Sequence, residues 1–319
     1  MNLILDVSDW LMGNSTALGA TSAAIAIAAG VTGWLKRASW LMVDRPRIHA
    51  VTNPRDHHIK AVEAMQGYFP RPERDPPGLL ARRIRESRYG WFGTARSDFP
   101  IVCLCYERRG KVLLFLTCQY HIKTGTIFFW YLLGHKAAER ARGGNGEGGL
   151  AYDHDDDECA TKLIDRMLEI CDRLGGRNSH WRQVIAELDI EDLQTARGKM
   201  RLFQEYGKTV GKSPAPRVFK AEAPFVMPVH DPDMLDRRQE HETPGWFLFA
   251  PHEPTDYLQR DGNYYITRDK LATLYGVLEQ SYAIADDPAY NAYLSDFFQK
   301  LAGEAPDITR LEHERRNMR

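Results

Sequence analysis

The chain has 319 residues, 43% of them hydrophobic, which is enough to build one large domain or two modest ones. Its 42 basic and 43 acidic residues are spread along the chain, which argues against a nucleic-acid-binding protein. The five cysteines include no CxxC pair and have no metal-ligand spacing to the 11 histidines, so we expect reduced thiols and no metal site.

The first feature along the chain is a stretch without charged residues, from Trp10 to Leu35, followed directly by Lys36 and Arg37. About 20 residues of apolar helix span a bilayer, so residues 1–44 are predicted to form a transmembrane helix and a linker. The positive-inside rule then places the rest of the chain in the cytoplasm as a single-pass membrane protein. Small residues in the stretch favour self-association in the membrane, giving a homo-oligomer. A buried helix of a soluble protein is the alternative.

Residues 45–253 have the pattern of a mixed α/β (α+β) domain with a mostly antiparallel sheet flanked by helices. Alternating or continuous apolar runs predict the strands, and apolar residues at helical spacing predict the helices. The predicted strands are 47–52, 101–106, 111–120, 126–133, 183–190, 217–227 and 246–252, and the predicted helices are 56–68, 78–87, 158–174 and 191–206.

The remaining residues, 254–319, are predicted to be a helical extension followed by a charged tail. Two tyrosine-rich helices are expected between residues 268 and 302. The last nine letters, LEHERRNMR, are mostly charged and are expected to fray.

The order of these elements resembles that of the GNAT acyltransferase superfamily over about residues 45–253. Three stretches carry the resemblance. HAVTNPRDHHIKAVEAMQGYFPRPERDP is similar to the family's first strand and helix, CYERRGKVLLFLTCQYHIKTGTIFFWYLL to its three-stranded meander, and ARGKMRLFQEYGKTVG to the helix that ends in tyrosine, glutamate and glycine. The resemblance implies that acetyl-CoA enters between a fourth and a fifth strand that splay apart, here 126–133 and 183–190.

The resemblance also implies which residues bind the co-substrate. The backbone at Leu132 and Leu133 would polarise the thioester carbonyl, and the glycine-rich loop after the fourth strand would hold the pyrophosphate with its N–H groups. In this chain that loop reads RARGGNGEGG, and it departs from the family consensus. The residues expected to contact the pyrophosphate are Arg140, Arg142, Gly143, Gly144, Gly146 and Gly148.

Two residues are expected to move protons. Glu187, in the fifth strand, matches the position of a carboxylate that deprotonates the attacking amine in some family members. Phe203 occupies the position of the tyrosine that usually protonates the departing thiolate, and phenylalanine cannot donate a proton. Tyr206, about one helical turn further on, is the nearest substitute.

Three functions are consistent with these features. The first is a membrane-anchored N-acetyltransferase that uses acetyl-CoA to acylate an amine, on a small molecule or a protein, at the cytoplasmic side. The second is a catalytically impaired, GNAT-like sensor or binding domain coupled to an oligomerising membrane helix. The third, a weaker alternative, is a structural module whose tyrosine-rich C-terminal helices bind a protein partner. The acidic run DHDDDE after the glycine loop favours the second, because carboxylates near a helix N-terminus compete with a diphosphate for the same N–H groups.

Overall fold

The structure of the chain is a computed structural model, and it describes residues 47–67, 75–87, 97–108, 110–134, 154–175, 181–189, 219–223, 225–238, 242–252 and 257–313. Residues 48–107 and 112–319 form one compact unit. A second unit comprises residues 1–47 and 108–111, most of which lie outside the described ranges.

The described residues contain one mixed sheet of 11 strands. Its strand order is β1-β2-β3-β4-β5-β8-β6-β11-β10-β9, and β7 pairs with β8 beside this path. The strands are β1 (Arg47–Ala50), β2 (Ile101–Arg108), β3 (Lys111–His121), β4 (Thr126–Gly134), β5 (Gln183–Asp189), β6 (Phe219–Ala221), β7 (Phe225–Met227), β8 (Thr243–Pro251), β9 (Leu258–Arg260), β10 (Asn263–Thr267) and β11 (Ile308–His313).

Five α-helices and one 3-10 helix accompany the sheet among the described residues. The α-helices are α1 (His58–Gln66), α2 (Leu79–Glu86), α3 (His154–Gly175), α4 (Arg268–Tyr282) and α5 (Pro288–Glu304), and the 3-10 helix is Pro232–Arg237.

Strands β4 and β5 pair in parallel, whereas the pairs β3–β4, β5–β8 and β8–β6 are antiparallel. A parallel pair needs a long crossover connection, and α3 lies in the segment that joins β4 to β5. The predicted bounds of both strands, 126–133 and 183–190, are confirmed to within one residue.

The β4–β5 pair is short because the two strands separate partway along. Their register runs from Thr126 opposite Gln183 to Phe129 opposite Ala186 and ends there. At the same point β4 has an extra residue: Thr117 of β3 pairs with Tyr131 and Cys118 pairs with Phe129, which leaves Trp130 as a bulge. A bulge bends its strand and increases the local twist, so it accounts for β4 leaving β5.

The helices cover both faces of the sheet. Alternate residues of β2–β5 pack on α3 through Leu163, Met167 and Cys171. The intervening residues of these strands point to the opposite face of the sheet, because side chains alternate along a strand. On that face α1 and α2 cover β2–β4. Helices α4 and α5 cover the same opposite face over β5, β6 and β8. Trp130 packs against both of the clusters on that second face.

Three expectations need correction. Helix α3 begins at His154 and not at residue 158, so most of the acidic run lies in its first turn. The predicted strand 217–227 is two short strands, β6 and β7, joined by a bend. Residues 254–319 contain the two expected helices, but they also supply β9, β10 and β11, and β11 pairs with β6. The charged tail therefore begins inside a strand.

No described helix is long and apolar enough to cross a membrane. The predicted transmembrane stretch, 10–35, lies outside the described residues, as does the predicted helix 191–206. Of the five cysteines, Cys103, Cys105, Cys118 and Cys171 are buried and all five are free thiols.

Candidate functional site

The candidate site lies where β4 and β5 separate. Trp130 and Glu187 are the first residues after the last parallel pair, Phe129 and Ala186. Glu187 pairs on its other side with Phe247 of β8, which fixes its backbone in the sheet. By strand alternation the side chain of Glu187 shares a face with Ile185, on the side covered by α4 and α5.

The carboxylate of Glu187 is held in an apolar environment. Its Oε2 accepts a hydrogen bond from the hydroxyl of Tyr282, while its Oε1 is buried and has no hydrogen-bond partner among the described residues. Burial raises the pKa of Glu187 to about 8, and the Tyr282 hydrogen bond opposes that rise. A carboxylate with a pKa in this range can accept a proton near neutral pH, as a general base must.

Tyr282, the last residue of α4, holds this carboxylate in place. Its ring stacks on Trp130, with centroids 6.5 Å apart, and on Phe298, with centroids 6.3 Å apart. The ring of His230 approaches to 4.7 Å. Burial, together with the neighbouring Glu187 carboxylate, raises the pKa of Tyr282 well above its usual value. The phenol therefore stays protonated and keeps donating its hydrogen bond to Glu187.

Arg83 brings a buried positive charge to the same place from α2. Its guanidinium carbon lies 3.8 Å from the centre of the Trp130 ring, a cation–π contact. Its Nη2 donates a hydrogen bond of 3.3 Å to the backbone carbonyl of Tyr282. The residue is buried, yet its Nη1 has no hydrogen-bond partner in the part of the chain that the structure describes.

Three polar atoms without partners thus surround Tyr282. They are Oε1 of Glu187, Nη1 of Arg83 and Nε1 of Trp130, and all three are buried. A buried polar group without a partner costs about 1–3 kcal/mol, so a group of three in one place calls for a polar ligand or bound water. One acceptor and two donors are offered to it.

The predicted site residues divide into two groups. Glu187 lies in the site, and Leu132 and Leu133 lie in β4 beyond its last pair with β5, where no described strand pairs with the backbone on that side. The structure does not describe the remaining predicted residues, so their roles stay predictions. They are Arg140, Arg142, Gly143, Gly144, Gly146, Gly148 and Tyr206.

Sequence reasoning missed Arg83, Trp130 and Tyr282. Trp130 was placed in the fourth strand, but the extra residue of a bulge cannot be seen in one sequence. Tyr282 and Arg83 meet only in the folded chain, because 199 positions separate them.

No protein-family model and no curated protein matches the chain. Solved structures that resemble it are GNAT acetyltransferases. A putative one from Bacteroides thetaiotaomicron is 12% identical, with a TM-score of 0.39, and the alignment covers 65% of this chain and 88% of that one. One from Streptococcus pneumoniae is 11% identical, with a TM-score of 0.36 and coverages of 65% and 99%.

A tandem GNAT protein from the clavulanic acid biosynthesis pathway is 12% identical, with a TM-score of 0.33, over 81% of this chain and 66% of that one. TM-scores this low do not establish a shared fold. The chain itself has a mixed α/β fold with a large, mostly antiparallel sheet and helices on both faces.

Proposed function

We propose that the chain is a GNAT-like N-acyltransferase that transfers the acetyl group of acetyl-CoA to an amine. The observation that carries this proposal is the buried Glu187 carboxylate, with one free acceptor oxygen, at the point where β4 and β5 separate. The bulge at Trp130 and the parallel β4–α3–β5 unit support it, because the pairing of β4 with β5 ends next to Glu187. Fold alone would not support a function.

In the proposed reaction, the nitrogen of the amine attacks the thioester carbonyl carbon, the C–S bond breaks, and the CoA thiolate leaves. Oε1 of Glu187 takes the proton that the nitrogen gives up, directly or through one water. The backbone near Leu133 polarises the carbonyl, and Tyr206 returns a proton to the thiolate. Most of the rate enhancement then comes from holding the two reactants together and from removing the proton.

Arg83 and Trp130 determine which class of acceptor amine can bind. Their free Nη1 and Nε1 atoms are donors, so they can bind an oxygen of the acceptor while its amine lies against Glu187. An amine that carries a carboxylate or carbonyl group satisfies all three free atoms. A polyamine has no such oxygen for Nη1 and Nε1, and we expect it to be a poorer substrate.

The proposal is tested by measuring release of the CoA thiol from acetyl-CoA with a set of amines, comparing amino acids and small peptides with polyamines. We expect release that depends on the amine and that rises with pH to a plateau above about 8, the pKa of Glu187. Thiol release that does not depend on an amine would contradict the proposed enzyme, and so would the absence of any thiol release.

Replacing Tyr282 by phenylalanine tests its role as a positioning residue for Glu187. The Tyr282 hydrogen bond stabilises the ionised carboxylate, so its loss should raise the pKa of Glu187 further and move the pH–rate profile to higher pH. The control is Tyr293→Phe, which also removes buried hydroxyl contacts, to Val229 N and Glu242, but none to Glu187. If both variants keep the wild-type profile, Tyr282 does not act on the base.

A second candidate, the catalytically impaired sensor, has one observation in its favour. Helix α3 begins at His154, so Asp155, Asp156 and Asp157 lie in its first turn. Acidic residues in the first turn of a helix generally favour the helix dipole, and they oppose the binding of a diphosphate at the helix start. Binding of acetyl-CoA without turnover, unchanged in Glu187→Gln, is the result that this candidate predicts.

We also propose that residues 10–35 anchor the protein in a membrane as a single-pass helix, with the α/β unit in the cytoplasm and with self-association through small residues. The uncharged stretch and the basic residues after it support this. The full-length chain should fractionate with membranes, and a chain without the first 45 residues should not. A full-length chain found wholly in the supernatant would contradict the anchor.

A further inference from the structure

A second cluster of polar side chains lies at the start of α1, and the proposed acyl transfer does not use it. His49 at the end of β1, Asp56 in the following turn and His58 at the first position of α1 place their donor atoms within 4.8 Å of one another. Nε2 of His49 lies 2.6 Å from Oδ2 of Asp56, and Nδ1 of His58 lies 2.7 Å from Oδ1. Two imidazoles therefore share one carboxylate.

The His49, Asp56 and His58 cluster is partly buried, unlike an ion pair at the protein surface. His58 is buried, and the side chain of Asp56 is 12% exposed, whereas that of His49 is 37% exposed. The two imidazole rings stack, with centroids 4.1 Å apart. The stacked rings bring Nε2 of His49 and Nδ1 of His58 to the same carboxylate, so the three residues can act on one ion.

Glu107 determines which nitrogen of His58 is available to a metal ion. Oε2 of Glu107, at the end of β2, lies 2.7 Å from Nε2 of His58 and accepts its N–H. With Nε2 donating to Glu107, Nδ1 is the ring nitrogen that faces the Asp56 carboxylate. A carboxylate on the far nitrogen of a histidine is the usual support for a metal ligand.

We propose that His49, Asp56 and His58 bind a divalent transition-metal ion, for which Zn²⁺ has the matching ligand preference. Two imidazole nitrogens and one carboxylate oxygen form a three-ligand set with a fourth position left for water or another ligand. Zn²⁺ bonds of about 2.0 Å at tetrahedral angles separate neighbouring ligand atoms by about 3.3 Å. The two N···O contacts, which are to different oxygens of Asp56, would lengthen by about 0.6–0.7 Å, and the partly exposed His49 side chain can move to allow this.

The test uses the full-length protein, treated with a chelator and then titrated with Zn²⁺ by calorimetry, and with Co²⁺ by visible absorption. We expect one site per chain and the absorption bands of a four- or five-coordinate Co²⁺. His49→Gln and His58→Gln should each weaken binding at least 100-fold. Glu107→Gln should weaken it about 10–100-fold, as loss of an outer carboxylate does.

His57→Gln is the matched control. His57 precedes His58 in the chain, and its Nδ1 lies 3.5 Å from Oδ1 of Asp56. Its side chain is 80% exposed, however, and it is not one of the three residues whose donor atoms all lie within 4.8 Å of one another. This variant should bind Zn²⁺ like the wild type. Because His49 is partly exposed, its variant should stay folded, which circular dichroism checks, even if His58→Gln does not. Absence of binding, or binding that His49→Gln and His58→Gln leave unchanged, overturns the proposal; neither result bears on acyl transfer.

Discussion

Replacing Glu187 by glutamine should lower the rate of acyl transfer by about 10²–10⁴-fold, the usual contribution of a general base. Glutamine is nearly the same size and can keep a hydrogen bond to Tyr282, but it cannot take the proton from the amine. The residual rate should lose the rise toward pH 8 that the wild type shows, since the group with a pKa of about 8 is gone. The measurement is kcat/KM against pH for both proteins.

The same substitution should stabilise the protein, in a way that depends on pH. Between pH 4.5 and 8 the folded chain binds a proton at Glu187 that the unfolded chain does not, so the free energy of unfolding of the wild type falls as pH rises through this window. The slope is at most about 1.4 kcal/mol per pH unit, and the total is about 3–5 kcal/mol. Glutamine does not ionise, so Glu187→Gln does not lose this stability as the pH rises.

Chemical denaturation at several pH values measures this effect. The difference in stability between Glu187→Gln and the wild type should be small near pH 4.5 and largest above pH 8. Glu304→Gln, which changes an exposed carboxylate at the end of α5, should alter neither activity nor the pH dependence of stability. A Glu187→Gln protein that is fully active, or one whose stability follows the wild type at every pH, would contradict the role given to this carboxylate.

Removing residues 257–319 should leave a chain that does not fold. Phe219, Phe247 and Phe249 are completely buried, and they pack against α4, α5 and β11, which the truncation removes. Each fully buried phenylalanine contributes about 1.5–3 kcal/mol, so exposing three of them costs an amount similar to the whole stability of a typical domain. Tyr282 would be lost as well.

The control is a chain that ends at His313, the last residue of β11, which keeps every described element. We expect it to be folded and to resist limited proteolysis like the full-length protein, while the chain that ends at residue 256 is degraded. If the shorter chain is folded and active, the C-terminal segment is a separate extension, as the sequence suggested, and the site does not need α4.

Much of the sheet could be predicted because its central strands are long and apolar. The runs that form β3, β4 and β5 are bounded by turns and have no competing helical spacing. The strands β9, β10 and β11 could not be predicted, because they are short and carry charged or exposed residues such as Arg260 and Arg310. Strand β11 forms because it pairs with β6 and β10, and a single sequence does not show that pairing.

The candidate site could be predicted only in part, for a related reason. Glu187 was found from its position in a strand of recognisable order. What makes it a candidate base is its burial beside Tyr282, a contact that joins β5 to α4. Arg83 of α2 in turn contacts the backbone of Tyr282. The His49, Asp56 and His58 cluster is close in sequence, yet its support from Glu107 comes from β2, 49 positions away from His58.

The most direct test of the central claim is a calorimetric titration of the full-length protein with acetyl-CoA, repeated as a thermal-unfolding series. We predict saturable heat with one site per chain, and a free energy of unfolding that rises by about 2.7 kcal/mol when acetyl-CoA is at 100 times its dissociation constant. No heat and no change in the unfolding temperature at millimolar acetyl-CoA would show that the gap between β4 and β5 does not bind the co-substrate.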